Sequence, residues 1–171
     1  MIERKYMAHY VDSGFTSTAT SGSYVRLGTD LEEFNIELNP DIETGKNILG
    51  ESTFHHNGYE ESGSVEPYYA EDGDDLFEAL QTKIDTRATG DDLKSWYVEV
   101  HLWETAVSGA YPAWAQPCYI VPTSYGGDTS GYQIPFEIHP IGARIEGTFN
   151  PTTGTFTVPS PASTPSTPGT E

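Results

Sequence analysis

Apolar and polar side chains alternate with a period of two along most of this chain, and that period admits little but half-buried β-strands. In Lys94–Trp103, Trp96, Val98, Val100 and Leu102 share one face, while Tyr97, Glu99, His101 and Trp103 share the other. In Leu31–Leu38, Phe34, Ile36 and Leu38 oppose Glu33, Asn35 and Glu37. Shorter runs predict strands at Tyr6–Val11, Tyr24–Gly28, Ser52–Tyr59, Cys118–Val121, Ile134–His139, Ala143–Phe149 and Thr155–Val158. Pro122 and Pro135 suit sheet edges, because proline has no N–H to give a ladder. Asn150–Gly154 reads as the short turn of a terminal hairpin.

One segment departs from that period. Asp74–Thr89 sets Leu76, Leu80 and Ile84 on one stripe, with acids at its start, Lys83 and Arg87 late, and Gly90 behind. Charges so placed complement the helix dipole, which predicts a single amphipathic helix about four turns long, laid on a sheet. Asn39–Gly50 reads as a long loop, unusually apolar in carrying Ile42, Ile48 and Leu49. Thr123–Gly131 reads as a glycine-rich turn region. Pro159–Glu171 is a Pro/Ser/Thr tract that cannot build a core, so one domain is expected over 1–158, followed by a flexible tail over 159–171.

Charge narrows the function classes. The 171 residues hold 26 acids and 8 bases, a formal net charge of -18. Phosphate neutralisation by Lys and Arg is thereby disfavoured, as is docking on anionic lipid. The 21 aromatic residues (3 Trp, 11 Tyr, 7 Phe) are too many for a disordered chain. No apolar run approaches the ~20 residues needed to span a bilayer, and Met1–Tyr10 lacks a signal-peptide core, so a soluble chain made in a cytoplasm is expected. The lone Cys118 excludes a disulfide framework and reads as a buried structural thiol.

No catalytic constellation emerges. Asp128-Thr129-Ser130-Gly131 has the look of an aspartic-protease turn, but that chemistry needs a second carboxylate and there is no second copy. Glu71-Asp72-Gly73-Asp74-Asp75 lacks the alternating ligands and closing Glu of a calcium loop, and helix capping explains it better. His55 and His56, adjacent on a strand, point to opposite faces, and with His9, His101 and His139 they offer no metal-ligand spacing. Glu32/Glu33 and Glu60/Glu61 are pairs that a high acid content produces by chance. Gly126-Gly127 has neither the Lys nor the helix that a phosphate-binding loop requires. The reading is of a protein that is not an enzyme, with no cofactor and no metal.

Longer strings carry a resemblance. Leu27-Gly28-Thr29-Asp30-Leu31-Glu32-Glu33-Phe34-Asn35-Ile36-Glu37-Leu38-Asn39-Pro40-Asp41, Lys46-Asn47-Ile48-Leu49-Gly50-Glu51 and Val65-Glu66-Pro67-Tyr68-Tyr69-Ala70-Glu71 run through the first half. Arg87-Ala88-Thr89-Gly90, Val121-Pro122-Thr123-Ser124-Tyr125-Gly126-Gly127-Asp128-Thr129-Ser130-Gly131 and Ile134-Pro135-Phe136-Glu137-Ile138-His139 follow. Together they resemble the major tail (tail tube) proteins of long-tailed bacteriophages of Gram-positive hosts, over nearly all of residues 3–158. The Pro/Ser/Thr tail and the Trp-containing stretch Ala106–Trp114 depart from that pattern.

The resemblance implies a mainly β fold, a two-sheet β-sandwich or barrel with one flanking α-helix, an N-terminal arm and a long early loop. It implies hexameric rings that stack into a virion tail tube through which DNA passes without specific binding. Tape-measure, tail-terminator and baseplate proteins would then be partners, with no membrane involved. Asn39, Pro40, Ile42, Lys46, Ile48 and Leu49 are the expected inter-ring contacts. Glu33, Glu37, Glu99, Glu137 and Glu146 are candidates for acids facing the lumen. The competing expectation is a non-catalytic β-sandwich binding module for cell-wall carbohydrate or adhesion, with Trp96, Trp103 and Trp114 as stacking platforms.

Overall fold

A computed structural model describes residues 1–160. Its first strands are β1 (Met7–Asp12), β2 (Tyr24–Leu27), β3 (Ile36–Glu37), β4 (Pro40–Lys46), β5 (Ser52–Tyr59) and β6 (Ser62–Val65). Helix α1 (Asp75–Asp85) precedes β7 (Lys94–His101), β8 (Tyr111–Pro122), β9 (Gly126–Asp128) and β10 (Gly131–Gln133). The chain closes with β11 (Phe136–Pro140), β12 (Ile145–Asn150) and β13 (Thr155–Thr157). Of the expected tail over 159–171, residues 161–171 lie outside the described residues.

Nine strands form one curled antiparallel sheet in the order β2-β1-β7-β8-β11-β6-β3, with β12 and β13 branching from β8. The branch has a visible cause. Residues 111–115 of β8 pair with β12 and residues 118–122 pair with β11, which leaves Pro117 at the fork. The N and O of a strand residue point to the same side; here the Pro117 carbonyl accepts from the Ile141 N–H at 2.7 Å. On that side no ladder bond is lost for want of an N–H. Prolines therefore enter a central strand where one neighbour gives out, rather than only an edge. Pro122 likewise ends central β8, and Pro135 precedes β11.

Directly paired residues share a face, and the two faces hold two cores. On one, Val11, Leu27, Tyr97, Cys118, Ile120, Phe136, Ile138 and Val65 meet Leu76, Leu80 and Ile84 of α1. On the other, Ala8, Tyr10, Val98, Val100, Ala113 and Ala115 meet Phe149 and Phe156 of the β12–β13 hairpin. This is a β-sandwich of half-barrel character with one flanking helix. Gly147 permits the second layer to close: a Cβ there would stand 2.4 Å from the Thr157 carbonyl oxygen. The loop after β1 is fastened by buried Asp12, whose carboxylate accepts from the N–H groups of Gly14, Thr16 and Ser23 at 2.8, 2.8 and 2.9 Å.

Several elements differ from expectation: β6 was not anticipated, and the expected turn region Thr123–Gly131 holds β9, paired with β10. The helix stops at Asp85, not Thr89. Arg87 takes a left-handed φ of 50°, and the N–H groups of Arg87 and Ala88 return to the Ile84 and Lys83 carbonyls, both at 3.0 Å. That pattern is a Schellman stop, reached three residues before the anticipated glycine. Leu31–Leu38 yields only the two-residue β3, because the segment crosses the open sheet face instead of joining it. Phe34 is buried there, edge-on to the His9 ring at 4.9 Å, and Arg4 Nη2 takes the Phe34 carbonyl at 2.9 Å. Finally, Asn39–Gly50 is not a loop: Pro40–Lys46 is a strand pairing with β5.

Among the described residues no helix is long and apolar enough to cross a membrane.

Candidate functional site: a free-standing amphipathic hairpin

β4 and β5 form a two-stranded sheet of their own, hydrogen-bonded to no other strand. Every residue of β4 is exposed, and of β5 only Thr53 and Gly58 are half-buried. At its base, the Glu60 N–H donates to the Asn39 carbonyl at 3.2 Å, and Asn39 Nδ2 donates to the Glu60 carbonyl at 3.1 Å and to Ser62 Oγ at 3.2 Å. At its tip, Asn47 Oδ1 accepts from the Leu49 and Glu51 N–H groups at 3.0 Å, and Asn47 Nδ2 donates to Glu51 Oε2 at 2.7 Å. Gly50 completes the turn with a φ of 79°, a conformation that costs a residue with a Cβ.

Register sorts the hairpin into two unlike faces. Ile42 pairs with His56, Thr44 with Phe54, and Pro40 with Tyr59 across the bulge at Asp41/Ile42. These residues share one side, where the His56 and Tyr59 rings lie 4.7 Å apart. Glu43 pairs with His55 and Asp41 with Gly58, so the opposite side is acidic. The apolar side chains are uncovered: Ile42 is 47% exposed, Phe54 63% and Tyr59 58%. Ile48 (103%) and Leu49 (77%) crown the tip, where turns ordinarily carry polar residues. An isolated two-stranded hairpin is marginal in water, and contiguous exposed apolar side chains mark a surface open to a partner, a ligand or aggregation.

Each expected contact residue falls on this element: Asn39 at the base, Pro40, Ile42 and Lys46 on β4, Ile48 and Leu49 at the tip. Sequence reasoning missed Asp41, Glu43, Phe54, His56 and Tyr59 as parts of the same site. The alternation of Asp41, Ile42, Glu43 and Thr44 is present, but a single strong hydrophobe gave it no weight.

The five expected lumen acids are not brought together. Glu99 and Glu146 both pair with Trp114 and share a face. Glu137 pairs with Val121 and Ser64, and Glu37 with Ser62, which puts both on the opposite face. Glu33 lies in the crossing segment, where it accepts from Asn35 Nδ2 at 2.7 Å. Glu99 is already partnered by Arg144 at 3.2 Å and His101 at 3.1 Å, and Glu137 by His139 at 2.9 Å. Glu37 and Glu146 make no side-chain hydrogen bond or ion pair among the described residues.

Other polar features have local employment. Asp74 caps α1, accepting from the Leu76 N–H at 3.0 Å and from the Tyr68 hydroxyl. Asp128 closes an exposed turn by accepting from the Ser130 N–H at 2.7 Å. Glu61 accepts from Gln116 Nε2 at 2.7 Å. Burial pushes the Cys118 thiol well above its ordinary pKa. Among the described residues no group of three or more His, Cys, Asp or Glu is placed to hold a metal ion. The tryptophans form no row: Trp96 packs on the second core, Trp114 lies under Arg144 at 5.1 Å, and Trp103 stacks on His101 at 4.3 Å. No known protein family matches the chain, and no curated protein matches it as a relative.

Proposed function

We propose that the chain is a repeating structural subunit: a major tail protein of a long-tailed bacteriophage, forming hexameric rings that stack into the tube through which DNA leaves. The observation that carries this reading is the β4–β5 hairpin, an ordered element whose apolar face and tip are left in water by its own domain. A second copy covers them. Obligate interfaces typically bury on the order of 2,000–5,000 Å², to which an extended hairpin contributes efficiently. The sequence resemblance supplies the identity of the polymer. Tape-measure, tail-terminator and baseplate proteins are its proposed partners in the virion tail.

The mechanism is physical. DNA sliding through a channel must not adhere to the wall, and carboxylates repel phosphates over about 8 Å at physiological salt. One wall draws on one face of the sheet, so on its face Glu146, unpaired among the described residues, contributes more repulsion than Glu99, which Arg144 neutralises.

Excision of the hairpin tests the reading. Asn39 and Glu60 are hydrogen-bonded neighbours, so replacing residues 40–59 by a two-glycine link closes the chain without strain. The expected product keeps the tryptophan fluorescence spectrum and thermal midpoint of the intact chain but sediments as a monomer, whereas the intact chain forms rings or tubes with six-fold end views in the electron microscope. An intact chain that stays monomeric at every concentration overturns the proposal, as does a hairpin-less chain that still polymerises.

A further inference from the structure

Resting on the reading that copies of this chain associate, we propose that the hairpin tip of one copy seats in the groove beside β1 and β2 of the next, with Ile48 and Leu49 on its apolar floor and Glu51 at its cationic rim.

The groove is about 430 Å³, floored by Leu27, Leu31 and Phe34 and rimmed by Arg4, Lys5 and Arg26. That is three of the eight basic residues in a chain of net charge -18, gathered at one place. Arg4 is fixed, with Nη1 on the Met7 carbonyl at 2.6 Å and Nη2 on the Phe34 carbonyl at 2.9 Å. Arg26 is exposed and uses only Nη2, on the Lys5 carbonyl at 3.1 Å. The rim also carries Glu32, and Lys5 is paired with Glu3 at 2.6 Å, so Arg26 is the cation most open to a new partner. A volume of this size lies in the range that holds a small ligand, here two aliphatic side chains.

The tip has the matching chemistry. Ile48 and Leu49 are adjacent, exposed and apolar, and Glu51 follows just before β5, with Oε2 on Asn47 Nδ2 at 2.7 Å. Seven strand residues extend it roughly 23 Å from its base, enough to reach beyond its own domain. Two copies of so acidic a chain repel, and a contact that sets a carboxylate beside Arg26 offsets that repulsion locally. Hairpin and groove are different surfaces, so the contact repeated head to tail generates rings or filaments.

A second groove, about 460 Å³ between the end of α1 and the end of β8, is a poorer receiver. Its cations are occupied: Lys83 lies over the Phe15 ring at 4.5 Å, and Arg87 over Tyr125 at 5.3 Å while bonding the Ile84 carbonyl and the Tyr125 hydroxyl.

Charge reversal tests the pairing in the full chain, by sedimentation velocity and microscopy. Arg26→Glu and Glu51→Arg, both at exposed positions, are each expected to keep the wild-type thermal midpoint and to raise the concentration needed for assembly about tenfold or more. Mixed in equal amounts they are expected to recover, because Glu51→Arg tips match Arg26→Glu grooves and the remaining tips and grooves are wild type. The double variant recovers likewise, and Lys83→Glu assembles normally. Single variants that assemble like the wild type overturn the contact, as do variants whose mixture stays inert or a Lys83→Glu that blocks assembly. A wild-type chain that never assembles overturns the self-association reading as well.

Discussion

His9 is held neutral by its surroundings. It is buried on β1, shares a hydrogen bond with the Tyr97 hydroxyl and meets the edge of Phe34. Burial lowers its pKa from 6.5 to about 4, with Arg4 adding to the effect and Glu99 opposing it. The unfolded chain therefore binds the proton first. His9 contributes its full stability above pH 6.5, and that contribution is lost as pH falls toward 4, amounting to about 3 kcal/mol at the acid end. Comparison with His9→Gln isolates it from the many carboxylates: urea midpoints should converge or cross between pH 6.5 and 4 as the wild type loses more. Parallel pH profiles would contradict the assignment. Nothing in the sequence marked this histidine, since its partners come from β7 and from the crossing segment. Asp12 was equally silent, because a buried carboxylate is recognised only by the donors that a folded loop aims at it.

At the scale of elements, legibility followed the number of apolar side chains per face. β7 has Trp96, Val98 and Val100 on one side, and it forms where the alternation places it. α1 was legible from Leu76, Leu80 and Ile84, all buried, but its end was not, because Arg87 accepts the left-handed position when its guanidinium can bond the Ile84 carbonyl at 2.6 Å. The N-terminus is better determined. Asp74 both caps the helix and takes the Tyr68 hydroxyl, so Asp74→Ala should cost about 1–2 kcal/mol in a denaturant melt. A change below a few tenths would mean that the cap is replaceable by water. β4 escaped notice for the opposite reason to β7: its apolar face is completed by β5 and, in our proposal, by another molecule. An element that completes its packing only outside the chain leaves a thin trace in the sequence.

For the whole molecule, the acid excess and the proposed assembly pull against each other. Long-range repulsion between copies of net charge -18 reaches about 10 Å at 0.1 M salt and about 3 Å at 1 M, whereas apolar contacts at the hairpin do not weaken with screening. Assembly should therefore begin at lower protein concentration as sodium chloride rises, followed by light scattering across a salt series. The reverse trend would mean that ion pairs at the contact outweigh the overall charge. A basic cluster at Arg4, Lys5 and Arg26 limits the repulsion where it matters, and the rest of the surface is free to stay acidic.

The bond between Asn39 and Glu60 has a consequence for how such a chain changes over generations. Because the polypeptide leaves and re-enters the domain at one point, selection on folding and selection on the projecting half of the contact act on separate stretches of sequence. Substitutions in the projecting arm can alter the spacing and fit between neighbours without a penalty in the two cores. The receiving groove is constrained more tightly, because Leu27 and Phe34 belong to a core as well as to its floor, so the arm can diversify faster than the surface that takes it.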